Sequence, residues 1–432
     1  MSNPCRIEKI CDTAPFDNGA GPTWSRGNSP IVRVGDRVFV TNSRVIADRA
    51  RLNRTSLELY EKCGEGDWQL VFYDEGVFQR EPCPILYLGG NRLAVTVNPT
   101  VEHFANEQES LYVPCTPMVY LFDISDGVKR TDGIVLPWGD SSYQFMDHSY
   151  RSFAVDSVSG DLFFTNQYLV GDGGEHCYSL LDQDFHPKRC APLRFPQRAC
   201  YHNIAMRGGE TYVFAIQDIV EPNEEWRRYK YDKTGRHWDY DFRKLYLNYS
   251  ANLEAEDFGD SVLVCDRDAT CGWVTNLDCC YDANGDMLLL VSAQNVHEPF
   301  MRDRFFPNEP LETVLEVYRF SHGKVTGKMV VDRSEEKEKA TLYGGFFHTA
   351  ASGEVYLIWS KETDVASNPV QTGTYLSPVN ALDQRPVRLM DAAGLLFGSK
   401  TRLGARPTDS IDLYWPQGEE AILYARVDWK AK

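Results

Sequence analysis

The chain has 432 residues, with 45 Lys and Arg against 62 Asp and Glu, for a formal net charge of −17. A surface that acidic disfavours nucleic acid and anionic membranes, although a local arginine cluster can override the overall field for an acidic substrate. The composition is globular at 43% hydrophobic and 25% charged, and no apolar run approaches the ~20 residues of a membrane helix. Aromatics at 12% suit a sheet protein or a carbohydrate binder.

The first residues, MSNPCRIEKICDTAPFDNG, lack an apolar core, so no secretory signal is expected. Twelve cysteines with no C-x-x-C pair, several inside expected strands, read as reduced thiols in a cytoplasmic protein.

In chain order, Phe16 to Pro30 is turn-rich and reads as loop. Ile31 to Thr41 then gives a strand, a Gly-Asp turn and a second strand. The same hairpin returns at Pro84–Val97, Ser152–Asn166, Asn203–Ile216, Cys279–Ser292, Phe347–Ser360 and Ile411–Val427. Each has a turn glycine: Gly35, Gly90, Gly160, Gly209, Gly285, Gly353 and Gly418. The gaps leave room for two further strands. Several are visible: Leu57–Lys62 with Trp68–Tyr73, Val119–Ile124, Tyr178–Leu181, Lys244–Tyr249, and Leu315–Phe320 with Val325–Val331. A recurring unit of about four strands predicts an all-β fold, a single β-propeller over residues 1–432. Seven hairpins mean seven blades, or six if the terminal segments share one. An elongated array of small sandwiches is the alternative, but no Ser/Gly/Pro linker interrupts the chain.

The longest gap holds residues 218–243, DIVEPNEEWRRYKYDKTGRHWDYDFR, which mixes charges and aromatics without strand alternation. It reads as an insertion loop over one channel mouth, near the expected site, with a short helix starting after Glu221-Pro222. Trp226 and Trp238 are its candidate ligand contacts.

The innermost strand of each blade lines the channel, so the residues preceding those strands gather at one mouth. They are Trp24 and Arg26, then Arg80 and Glu81, then Asp147, His148, Tyr150 and Arg151. Tyr201 and His202 follow, then Asn276 and Asp278, with His348 at the start of the sixth inner strand, and finally Arg402 and Arg406 before the last. His148 and His202 beside Tyr150 and Tyr201 are acid–base pairs able to act near neutral pH. Arg26, Arg80, Arg151 and Arg198 can hold a carboxylate by paired hydrogen bonds, and His348 and Asp278 complete the substrate-binding set. Glu81 and Asp147 are the alternative, as the two carboxylates of a glycosidase. No P-loop, nucleophile elbow or dinucleotide fingerprint occurs, so no cofactor is expected. Histidines with Asp147 or Asp278 are the one metal arrangement left open, without supporting local spacing.

The stretches DNGAGPTW (17–24), REPCP (80–84), HSYRSFA (148–154) and DIVEPNEEWRRYK…TGRHWDYDFR (218–243) resemble a family of bacterial propellers in the BNR-repeat, sialidase-like superfamily. Relatives by architecture include sialidases and seven-bladed lyases acting on ulvan or rhamnose–glucuronate linkages. The S-x-D-x-G-x-T-W box is absent, and no catalytic residue transfers by motif. The reading is a carbohydrate-active enzyme with a small saccharide substrate containing a uronic acid or deoxy sugar, cleaved by β-elimination. Glycoside hydrolysis and saccharide or protein binding without catalysis are the alternatives.

Overall fold

A computed structural model describes residues 5–428 except 22, 25–26, 48, 102–112, 171–172, 238–239, 337–339 and 364–371. Among the described residues, seven antiparallel sheets form the blades, the first six running from channel to rim in chain order. Blade 1 is Ile31–Val34, Arg37–Val45, Thr55–Cys63 and Gln69–Tyr73. Blades 2 to 6 repeat this plan, and their inner strands are Ile85–Gly89, Ser152–Val155, Ala199–Arg207, Trp273–Tyr281 and Ala340–Thr349. Blade 7 is Ser410–Gln417 and Ala421–Asp428, with the N-terminal strand Ile7–Asp12 added as its third member. The two ends of the chain do share a blade, but it is the seventh. No described helix is long and apolar enough to cross a membrane.

Period-2 alternation explains why the blades stack. On Leu162–Val170 of blade 3, Leu162 and Phe164 enter the core shared with blade 2, whereas Phe163 enters the core shared with blade 4. Burying each such side chain is worth about 1.5–3 kcal/mol. The hairpin turn SVSGD is held by Asp156, whose carboxylate accepts from the N–H groups of Val158, Ser159, Gly208 and Gly209. One aspartate therefore fastens its own turn and that of blade 4. All twelve cysteines are free thiols, and most are buried as small apolar groups.

The hairpins lie where the sequence places them, but the inner strands of blades 4 to 6 begin earlier than expected. Each extends past a bulge: between Cys200 and Asn203, between Asn276 and Asp278, and between Thr341 and Gly344. Consequently Tyr201, His202, Asn276 and Asp278 lie within strands rather than before them, and His348 lies near the end of its strand rather than at the start.

A segment between blades 6 and 7 plugs the channel. The 3₁₀ turn Thr401–Leu403 carries Arg402 into its centre. The buried guanidinium donates to Asp278 at 3.0 Å, the Ile204 carbonyl at 3.3 Å and Asn203 Oδ1 at 3.3 Å, and also to the Gly27 carbonyl. Lys400 lies 3.1 Å from the same Asp278, which also accepts the Phe347 N–H at 2.9 Å. Burial pushes the Lys400 ammonium down to about 8, against the pull of Asp278.

Within the described part of 218–243, the chain forms the short helix expected after Glu221-Pro222. The helix Glu224–Thr234 is capped by Asn223, whose side chain accepts from the N–H groups of Glu225 and Trp226. It ends at Gly235 in the left-handed region, φ 68°. Trp226 packs on Phe305 and Phe306 of a second short helix and under Arg243.

Candidate functional site

The upper mouth, where inner strands begin, is built around one buried carboxylate. Glu81 accepts the Ser149 N–H at 2.6 Å, the Ser149 hydroxyl at 2.5 Å and Arg151 Nη1 at 3.1 Å. His148 Nδ1 lies 3.3 Å from its other oxygen. The segment Asp147–Arg151 thus wraps round Glu81. Burial works to raise the Glu81 pKa, but His148, Arg151 and Ser149 together hold it below the usual range.

Those bonds separate the candidates. Arg151 is spent inside the fold: its side chain is 5% exposed and it also donates to the Pro82 carbonyl and the Thr96 hydroxyl. It anchors Glu81. Asp147 is buried, accepting the Val113 N–H at 3.0 Å and Asn53 Nδ2 at 3.1 Å, with Arg80 3.9 Å away. Burial raises its pKa. Arg80 donates from Nε to the Asn18 carbonyl at 3.1 Å. His148 keeps 18% of its side chain exposed.

The His148 ring lies in an aromatic cradle. Its centroid is 5.1 Å from Trp24 and 4.5 Å from Tyr150, and Tyr150 meets Tyr201 edge-on at 5.0 Å. Trp24 touches all three. Tyr150 and Tyr201 both have left-handed backbones, φ 47° and 53°. This conformation costs about 1–2 kcal/mol for a non-glycine residue, and such strain concentrates at functional sites. Burial raises the Tyr150 pKa far above the ordinary phenol, so it remains a protonated donor. Arg198 completes the mouth, 3.0 Å from the buried Asp218 and with its side chain 30% exposed. Burial raises the Asp218 pKa, opposed by Arg198 and His148.

Beside the cradle opens a cavity of about 340 Å³, walled by Trp24, Tyr201, Phe242, Trp273, His297 and Tyr343. His297 stacks on Trp273 at 4.2 Å. Burial and nearby cations push its pKa down to about 4, so it is neutral and the wall carries little charge. A smaller cavity of about 220 Å³ toward the helix Glu224–Thr234 shares Phe242, Trp273 and His297 with it. Trp273, His297 and Asp218 were not among the sequence candidates. Trp273 opens the inner strand of blade 5, hidden by the late strand boundary. His297 and Asp218 follow the second strands of blades 5 and 4. Those strands return the chain to the same mouth, a signal the sequence carries.

The remaining candidates lie elsewhere. His202 is fully buried, with Nδ1 3.3 Å from the Thr165 hydroxyl and its ring 4.4 Å from His176. Burial drives its pKa well below the ordinary value, so it is a neutral wall residue, not an accessible base. Asp278 is the counter-ion of the plug, paired with Lys400 and Arg402. His348 lies at the lower end of its strand, donating from Nε2 to the Thr408 carbonyl at 2.7 Å. Trp226 packs helix on helix. Arg26 and Trp238 fall outside the described residues.

No protein-family model matches the chain, and no curated protein matches it by sequence. Among solved structures, a polysaccharide lyase of family PL25, an ulvan lyase bound to -[GlcA(1-4)Rha3S]-, aligns over 98% of this chain and 96% of its own. The TM-score is 0.56 at 10% identity. A GH93 α-L-arabinofuranosidase of Fusarium graminearum aligns over 79% of this chain and 91% of its own, TM-score 0.40 at 8% identity. A Trypanosoma rangeli sialidase covers 82% of this chain and 54% of its own, TM-score 0.43 at 10% identity. Over nearly its full length, then, this chain is similar in architecture to the ulvan lyase.

Proposed function

We propose that the protein is a carbohydrate-active enzyme that cleaves an acidic oligosaccharide by β-elimination at a uronic acid in the upper mouth. The observation that carries this reading is His148: partly exposed, backed through Nδ1 by a buried carboxylate, and flanked by two phenols. A carboxylate 3.3 Å from Nδ1, without hydrogen-bond alignment, favours the proton on that nitrogen and leaves Nε2 as the base. In the reaction His148 takes the proton α to the uronate carboxyl. The electrons of that C–H bond form the new C=C bond, and the C–O bond to the leaving sugar breaks. Tyr150 or Tyr201 protonates the departing oxygen, and the phenol is restored by the proton held on His148. Arg198, reachable from solvent, pairs with the substrate carboxylate and stabilises charge developing next to it. The neutral aromatic cavity receives the adjoining sugar.

The full-length likeness to a polysaccharide lyase supports this chemistry. Glycoside hydrolysis by Glu81 and Asp147 fits less well, because both carboxylates are buried and saturated by internal donors. The test is mass spectrometry of products from uronic-acid oligosaccharides. Fragments without added water, with new ultraviolet absorbance, are expected; fragments summing to substrate plus water mean hydrolysis, and no fragments mean a binding module.

A further inference from the structure

The plug closes the channel, so the lower mouth is a separate funnel with its own chemistry. It holds a cavity of about 610 Å³, within the range of small-molecule sites, floored by the plug and walled by residues of blades 2 to 6. Two carboxylates line it, and both are used internally. Asp156 is satisfied by four backbone N–H groups. Asp282 pairs with Arg319 and accepts the N–H groups of Asn284 and Asp286. Besides the buried Arg402 of the plug, two arginines line it, Arg207 and Arg406, both exposed. Neither has an ion-pair partner among the described residues. Arg207 is nevertheless placed: its guanidinium lies over the Tyr281 ring at 5.8 Å and against Gly285, where a Cβ would come within 2.5 Å of Nη1. Directly beneath, Lys400 and Arg402 converge on the single carboxylate of Asp278. In a chain of net charge −17, positive charge is left uncompensated in this funnel.

We infer that the lower mouth is a binding site for a small organic anion bearing a carboxylate or phosphate, held by Arg207 and Arg406. A guanidinium presents paired N–H donors that match either group, and a concave wall strengthens the pairing relative to open solvent. The site is independent of the chemistry at the upper mouth, from which the plug separates it.

The test is isothermal titration of the full chain with inorganic phosphate and, separately, with glucuronate, at matched ionic strength. Saturable binding of at least one probe is expected in the Arg198→Ala background, which removes the uronate contact of the upper mouth, and is weakened at least tenfold by adding Arg207→Ala or Arg406→Ala. Phosphate alone would mark a phosphorylated ligand, and glucuronate a sugar acid. Both arginines are exposed, and circular dichroism verifies that the variants fold. The inference is overturned if neither probe binds saturably in the Arg198→Ala background, or if adding Arg207→Ala and Arg406→Ala together leaves binding as tight as in that background.

Discussion

The upper mouth and the channel plug are built from the same residue types and put them to opposite uses. In the plug, Asp278, Lys400 and Arg402 are buried and bonded to one another and to backbone carbonyls. At the mouth, Glu81 and Arg151 form a comparable buried pair, but its far side is His148, which reaches solvent. Charge that is fully satisfied holds the fold. Charge that ends on a partly exposed, titratable ring is available for chemistry. The difference lies in whether the last member of the network meets protein or water, and residue type does not decide that.

The largest effect expected from breaking the plug is with Asp278→Ala. It leaves Lys400 and Arg402 buried without their carboxylate, which costs about 3–5 kcal/mol. A denaturant melt should show that loss, with any activity falling only as the protein unfolds. The mouth should respond the other way. His148→Ala is expected to lower turnover at least ~100-fold, or about 2.7 kcal/mol, while the melting curve stays in place. Normal turnover in that variant would end its assignment as the base. His202→Ala is the contrast: a cavity in the wall, with stability reduced before chemistry.

Lys400→Met sharpens the comparison with a stabilising change. The native pKa of about 8 lies below the ordinary 10.5. Below about pH 8 both states carry the charge, and the native state bears the full penalty of burying it. Between there and about 10.5 the unfolded chain holds more protons, so stability rises with pH. The substitution should therefore add about 1–3 kcal/mol near pH 7. The gain should shrink across that window and be gone above it; a constant gain would place the cause outside titration. The smallest effect expected is Arg198→Lys, which keeps the charge and loses the planar fork. KM for a uronate substrate should rise about tenfold, or ~1.4 kcal/mol, with turnover nearly unchanged. A KM unmoved by this change would remove Arg198 from the substrate contacts.

Much of the site was legible only as composition. Glu81, His148, Tyr150 and Tyr201 do converge, because they sit just before or at the start of the inner strands of blades 2, 3 and 4. Arg151 and Asp147 were equally attractive in sequence, but Glu81, Val113 and Asn53, distant in the chain, consume them. His348 and Asp278 were misplaced because bulges lengthen the inner strands of blades 5 and 6. A shift of a few residues carries a side chain from the rim into the channel wall.

The sequence by itself determined the seven hairpins, because their alternation and turn glycines are encoded within about fifteen residues each. It also determined that the blades must stack, since a sheet apolar on both faces cannot stand alone. Only the tertiary structure decided how the ring closes, which segment plugs it, and which charged residues remain open to water. Those depend on partners as far apart as Asp278 and Arg402, or Arg33 and Asp412. Pairing over that distance is set by how the blades meet, and no local pattern records it.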